Sequence, residues 1–496
     1  MTIVEGIAAW AHALKADDVP GDVAALCRTQ QRAVLGGVAG SSRNAAARRV
    51  ISALAEDADD GPAPLLTTDR NVAIDDALYA AAALSMALDF DDYVCFGHSG
   101  HSSVLVPLFL AYERDRDAPG RLAAQAVANE VSARLGGACL IGPLNGQMWS
   151  FIHAAGAALA AGKMLGLDER ALAQALALAL YQAPRPVVPG FMAPDSKLLT
   201  AAEPIAQGVR AARLAAHGVT GPLDVLDRSA GFFSAFSYAP IRGLLGGLGK
   251  GWATKTLCVK PYPGCAYIDS TIDALGQLGP VDPTEVERVE VQAGLLTCGM
   301  DALSQRYTRA GALTPVTINF SLGLNVAVYL LAGRLGPREL DDAWLRDHSS
   351  ELRGLAERVH LEHDWELTRS AMPSFARLLP PGLVRREVGG AALARGLVRA
   401  RRDHPRVPIG LKDARALIAT FGTDSVPNLA KSYWDPGALA DFRMELPARV
   451  TITTKSGRRK AAEVRVPRGA AGHADGPAPV ASAKLLEVGP WLWGEE

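Results

Sequence analysis

VAIDDALYAAAALSMALDF, residues Val72–Phe90, carries charge only at Asp75, Asp76 and Asp89. Between them, alanine, leucine and other apolar side chains fill every face of a helix. A helix that is apolar all round is buried inside a protein, not laid on its surface. Alanine is also the best intrinsic helix former. Five further segments carry Ala/Leu-rich helical patterns: Ser103–Asp115, Leu122–Leu135, Ser150–Leu165, Glu169–Gln182 and Ala202–His217. Gly97 and Gly100, Gly142-Pro143, and the run Ala183–Pro194 punctuate them. Gly156 and the alanines near it allow close helix approach. The first half therefore reads as an all-helical bundle, and the fold class as mainly α.

The pattern changes after about Gly251. Val289, Val291 and Ala293 alternate with Arg288, Glu290 and Gln292, as in a half-buried strand over Glu285–Ala293. Phe320–Ala332 is again an apolar helix. Arg449–Val466 reads as a hairpin turning at Lys455-Ser456-Gly457. This half is α+β, a small sheet packed on helices. The expected division is a helical domain over 1–255 and a smaller α+β lid domain over 256–467. An irregular insertion falls at about 364–447, with an Arg-rich piece (Arg385–Arg406) read as a solvated helix face. Gly469–Ala483 reads as a linker, and the tail 468–496 as a segment able to pack back on the helical domain.

With 51 Lys+Arg against 52 Asp+Glu, the net charge is −1, which gives no general pull on nucleic acid or anionic lipid. Hydrophobic residues at 49% and charged residues at 21% exclude a disordered chain. The six cysteines include no C-x-x-C pair, which argues against a zinc ribbon or a disulfide framework. Leu135–Gly162 lacks Asp, Glu, Lys and Arg, but it contains Pro143, Asn145, Gln147 and six glycines, so it is a loop feeding a buried helix and not a membrane span. The N-terminus has the character of an ordinary helix, and the expected compartment is the cytoplasm.

Four clusters could carry chemistry. Asp89, Asp91 and Asp92, then Tyr93, His98 and His101, stand within thirteen residues at a helix end and the loop after it. A histidine whose tautomer is fixed by a carboxylate is an acid/base centre; turn residues at a solvated helix end would give the same string. His98-x-x-His101 with an aspartate could also bind a metal, but no further ligand pattern supports it, and no metal is expected. In Lys260-Pro261-Tyr262-Pro263-Gly264-Cys265, prolines stiffen the backbone, Gly264 permits close approach to a ligand, and Lys260 could clamp an anion; a small packed thiol is the plainer reading of Cys265. Asn145 and Gln147 could face a ligand ahead of the helix that Ser150 would cap. Lys197 stands before a helix N-terminus, where a bound anion would offset its charge.

Taken together, the chain resembles the MmgE/PrpD family, which includes 2-methylcitrate dehydratases and cis-aconitate decarboxylases. Leu88–Asp92 (LDFDD) with the His-containing loop and Val106–Glu113, then Glu130–Gly136, Ala160–Asp168, Gly231–Phe236, Lys260–Leu275 (KPYPGCAYIDSTIDAL) and Ala448–Arg458 are similar to family segments in the same order. The resemblance implies a helical domain, an α+β lid, a cleft between them, a homodimer, and catalysis without a cofactor. It points to Asp89, His98 or His101, Lys197, Lys260 and Cys265 as lining that cleft. The chain departs from the family pattern where Tyr93 replaces a threonine, where Gln147 and Asp269 replace histidines, and at the insertion.

The implied chemistry is a lyase reaction on a small carboxylate through a carbanion, with lysines holding carboxylates and Asp89 orienting the histidine. Gln147 has no titratable proton. Its presence points to a simpler reaction or to Tyr93 or Cys265 as acid, and Asp269 to a ligand with fewer carboxylates or with an amine. Tyr262 joins the expected binding residues. An isomerase, epimerase or cyclase of the same fold, and a non-catalytic binding homologue, are the alternatives.

Overall fold

Fourteen of the sixteen residues of the helix Ser150–Leu165 are buried, and Gly166 ends it in the left-handed region at φ 75°. Alanine and glycine on all sides let neighbours come close. Ala118–Ala138, Glu169–Tyr181 and Leu199–Ala216 pack around it, and Ile74–Ala87 packs on Leu199–Ala216. The computed structural model describes residues 1–496 apart from 114–117, 145, 309–310, 380–381, 384–386, 389–393, 397, 400–401, 403–438, 440 and 494–496. It is 60% helical with small sheets, a mainly α fold with a smaller α+β part. Among the described residues, no helix is long and apolar enough to cross a membrane.

Gly208 marks a close approach between Leu199–Ala216 and Ser150–Leu165. A Cβ there would lie 2.4 Å from the Ala154 carbonyl oxygen and 2.7 Å from the Ala157 Cβ. Gly208→Ala is expected to destabilise the protein. Overpacking costs about 1–3 kcal/mol, and better helix propensity returns no more than about 1 kcal/mol. Thermal denaturation should show a lower midpoint, and an unchanged midpoint would mean the helices can part at no cost.

The C-terminal part holds a four-stranded sheet. Val286–Ala293 pairs in parallel with Val359–His363 and antiparallel with Ala448–Thr454, which continues antiparallel to Arg459–Val464. The helices Asp269–Leu278 and Leu322–Ala332 share its apolar core. Gly457 turns the hairpin at φ 78°.

Several expectations need correction. Ser103–Asp115 is broken into Gly100–Ser103 and Leu105–Leu110. Pro107 has no N–H for the Ser103 carbonyl and would crowd it, so the break falls there. The stretch after His363 is not irregular throughout, because Trp365–Leu378 is a helix capped by Asp364. Most of the expected insertion and of Arg385–Arg406 lies outside the described residues. Gly469–Ala483 is not a free linker. Val259 donates its N–H to the Gly469 carbonyl at 2.8 Å, and Ala478–Val488 is a helix packed on Gly21–Gly40. Ser150 is not the cap of its helix. Trp149 takes that place, and the Ser150 hydroxyl donates to the Thr200 carbonyl at 2.9 Å.

Candidate active site

The site is built where the LDFDD stretch meets the KPYPGC stretch. The helix Ile74–Ala87 ends at Leu88, and Asp89 then adopts φ 51°, a left-handed conformation that aspartate tolerates better than most residues. Asp92 and Tyr93 pair with Val259 and Cys258 in a short two-stranded bridge. Lys260 donates its backbone N–H to Asp91 O at 3.1 Å, and Gly264 donates to Leu88 O at 3.0 Å. Gly264 sits at φ 106°, and a Cβ there would meet the Asn319 carbonyl at 3.2 Å. Its glycine therefore serves the turn and not, as expected, the approach of a ligand.

This crossing buries three carboxylates with separate partners. Asp89 accepts from Gln147 Nε2 and from Lys197 Nζ, and from Asn319 Nδ2 at 3.0 Å. Lys197 lies between the rings of Phe191 and Phe320, 5.3 and 4.9 Å from their centroids. Burial pulls its pKa down, against the pull of Asp89. Asp91 meets Lys260 Nζ at 2.5 Å through Oδ1, and His98 Nδ1 at 2.7 Å and His101 Nε2 at 2.9 Å through Oδ2. Burial alone would raise the Asp91 carboxyl, but Lys260 and His98 outweigh it and hold it well below the usual carboxylate range. Asp92 accepts from Gln30 Nε2 at 2.7 Å. Burial, then the charge of Asp91, lift its pKa to about 6.

A cavity opens in front of this cluster. Its polar lining is Tyr93, His98, Gln147, Lys260 and Cys265, and Phe191, Phe320 and Tyr267 are among its aromatic walls. Residues from both parts of the chain therefore close round it. His98 is fixed through Nδ1, and its Nε2 has no partner among the described residues. Burial, the largest effect, lowers its pKa below the ordinary histidine value although Asp91 opposes this. Lys260 spends two N–H groups on Asp91 and on the Asp89 carbonyl at 3.0 Å, which leaves one of its three donors for a ligand. Burial would lower its pKa, but Asp91 and Asp89 prevail and raise it, so the ammonium persists. Burial pushes the Cys265 thiol up to about 12 and the Tyr93 phenol well above its usual value. Neither ionises near neutral pH.

The other expected residues are elsewhere. Asp89 does not orient a histidine; Asp91 does, and Asp89 and Lys197 stand behind the cavity wall. His101 is fully buried away from the cavity, its Nδ1 2.7 Å from Ser85 Oγ and its ring against His153. Asp269 is buried outside the lining, and burial raises its pKa well above the ordinary value. Tyr262 points away and donates to Asp273 Oδ1 at 2.7 Å beside Arg468. Asn145 lies outside the described residues. The sequence reading missed Asp91 as the histidine's partner, Asn319, and Lys484. Lys484 reaches from the tail helix to the Phe90 carbonyl at 3.0 Å, and burial lowers its pKa to about 7.

Among the described residues, Asp91, His98 and His101 could hold a metal ion, with ligand atoms within 4.8 Å of one another. The group is already closed on itself. Both imidazoles face one carboxylate oxygen and the Lys260 ammonium covers the other, so a cation would have to displace them.

A mainly helical protein with a small α+β part, and a cavity of histidine, lysine and neutral acids walled by both, is the class that fold and site define. The family model described as the MmgE/PrpD N-terminal domain matches residues 5–241, and that of the MmgE/PrpD C-terminal domain matches residues 262–427. The chain belongs to the MmgE/PrpD family, which includes dehydratases and decarboxylases. No curated protein matches it.

Proposed function

We propose that this protein is a cofactor-independent lyase that forms a carbanion on a small carboxylate, with His98 as the base. The observation that carries this reading is the His98 ring. Asp91 fixes its Nδ1, which leaves the unpartnered Nε2 as the proton acceptor on a residue that also lines the cavity. A histidine held below its ordinary pKa is neutral at neutral pH and competent as a base. The free donor of Lys260 on the same wall binds the carboxylate and stabilises the charge that develops beside it.

The neighbours narrow the chemistry. Gln147 has no proton to give, and Tyr93 and Cys265 hold theirs too tightly to be efficient acids near neutral pH. Among the described lining residues, His98 is the group suited to moving a proton. That supports an elimination in which His98 passes the abstracted proton to the leaving hydroxyl on the same face, or a decarboxylation in which His98 in its protonated form gives its proton to the carbanion that loss of CO2 leaves. Two-base epimerisation would need a second base opposite His98, and among the described lining residues none stands out. The homodimer implied by the family resemblance is part of the same proposal.

Incubation with candidate carboxylic acids in deuterated water should label one carbon or release CO2. The rate of exchange or elimination should fall as pH drops through the lowered His98 value, below about 6.5, because protonated His98 cannot accept a proton; decarboxylation, which needs that proton, should instead fall as pH rises through the same value. Acids that bind without exchanging, dehydrating or losing CO2 would overturn the lyase reading.

A further inference from the structure

The polar cavity shares part of its wall with a neighbouring chamber. Phe96, Gly146, Tyr267 and Leu446 line it on one side and line a second chamber of about 320 Å3 on the other. That chamber is apolar. Leu295 comes from the helix Leu295–Thr308, and Leu367, Met372 and Phe375 come from the helix Trp365–Leu378. Phe375 meets Phe96 at 5.4 Å between ring centroids, so the chamber and the polar cavity share a packed aromatic wall. The polar groups at its edge are largely occupied: Thr297 Oγ1 donates to the Tyr267 carbonyl at 3.1 Å, and Thr368 Oγ1 takes the Leu295 N–H at 3.1 Å. Glu445, the one carboxyl among the described lining residues, would repel a second anion.

We infer that this chamber is a specificity subsite, and that the substrate is a small carboxylate bearing an uncharged alkyl substituent which projects past Tyr267 and Phe96 into it. The inference rests on the carboxylate reading above and names the rest of the molecule that reading leaves open. Three observations meet here: four lining residues shared with the Lys260–His98 cavity, apolar walls from two helices, and a carboxyl that excludes a second anion. About 150 Å3 suffices for a benzene ring in an engineered apolar cavity, so a chain of about six carbons fits. Met372, unbranched and adaptable, lets the far wall fit chains of different length.

The test is calorimetric titration of the full chain with 2-alkylsuccinates from methyl to hexyl. Affinity should rise about fourfold per methylene, the factor corresponding to about 0.8 kcal/mol per buried CH2, and the heat capacity of binding should become more negative along the series. Met372→Trp, which fills the chamber, should collapse the hexyl-to-methyl affinity ratio towards unity; its thermal midpoint reports whether it folds. If methylsuccinate binds and affinity stays flat or falls with chain length in the wild type, the subsite is refuted while the carboxylate reading stands. If no member of the series binds, both are refuted.

Discussion

Replacing His98 with glutamine should lower turnover about 100- to 10,000-fold, the usual worth of a positioned general base. The glutamine amide is neutral and of similar reach, but it accepts no proton where Nε2 stood. Substrate affinity should change little, because Lys260 is untouched and keeps its partners. His101→Gln is the control. His101 touches the same Asp91 oxygen at 2.9 Å but does not line the cavity, so it is a positioning residue. Its loss should cost about 10- to 100-fold at most, the usual worth of a group that orients a functional side chain, and should move the acid limb of the pH profile, because Asp91 would be shared differently between His98 and Lys260. Pre-steady-state turnover with a labelled acid separates the two variants. Wild-type turnover in His98→Gln, or a larger loss in His101→Gln, would remove His98 from the base role.

Local pattern was enough to read the helices and not enough to read the site. Ser150–Leu165 was legible to the residue, because Gly142-Pro143 breaks the chain before it and Gly166 stops it with a left-handed cap. The strand Val286–Ala293 and the late hairpin were legible from period-two alternation. Ser103–Asp115 was misread because apolar periodicity runs through Pro107 without registering its missing N–H. The helix Ala478–Val488 was hidden by a Gly/Ala/Pro composition; what fixes it is tertiary, the Lys484 stem lying where Gly36 lacks a side chain. At the site, the residue types were visible in LDFDD and KPYPGC, but the division of labour was not. Three aspartates in four residues look interchangeable in sequence. The positive φ at Asp89 turns its carboxylate towards Lys197, and Asp91 is left to face both histidines. Neither His98 nor His101 could be preferred by spacing, because which one reaches the cavity depends on where Asp91 stands. Asn319 lies 230 positions from Asp89 and carries no local signal at all.

Asp89→Asn should be strongly destabilising for so conservative a change. Asparagine tolerates the left-handed backbone, so the conformational cost is small; what is lost is the charge. Asp89 is fully buried and its main counter-charge, Lys197, is fully buried too, between two aromatic rings. Removing one partner of a buried pair leaves the other uncompensated and costs about 3–5 kcal/mol. The variant should escape part of this cost by releasing the Lys197 proton, since burial already depresses that pKa and the Asp89 attraction opposing it would be gone. The sign follows from proton counting. Between the depressed folded pKa and the unfolded lysine value of about 10.4, the unfolded chain binds more protons than the folded one, so stability rises with pH in that window. The deficit of Asp89→Asn should therefore shrink as pH rises towards the unfolded lysine value, whereas loss of a merely hydrogen-bonding carboxylate, ionised in both states there, would leave a deficit that does not change with pH. Adding Lys197→Met removes the orphaned charge and should recover stability, so that the double variant loses less than the sum of the single ones. Chemical denaturation of the four proteins measures this coupling. Additive losses, or a deficit that does not shrink as pH rises, would mean that Lys197 and Asp89 do not depend on one another and that the cavity wall is held by packing alone.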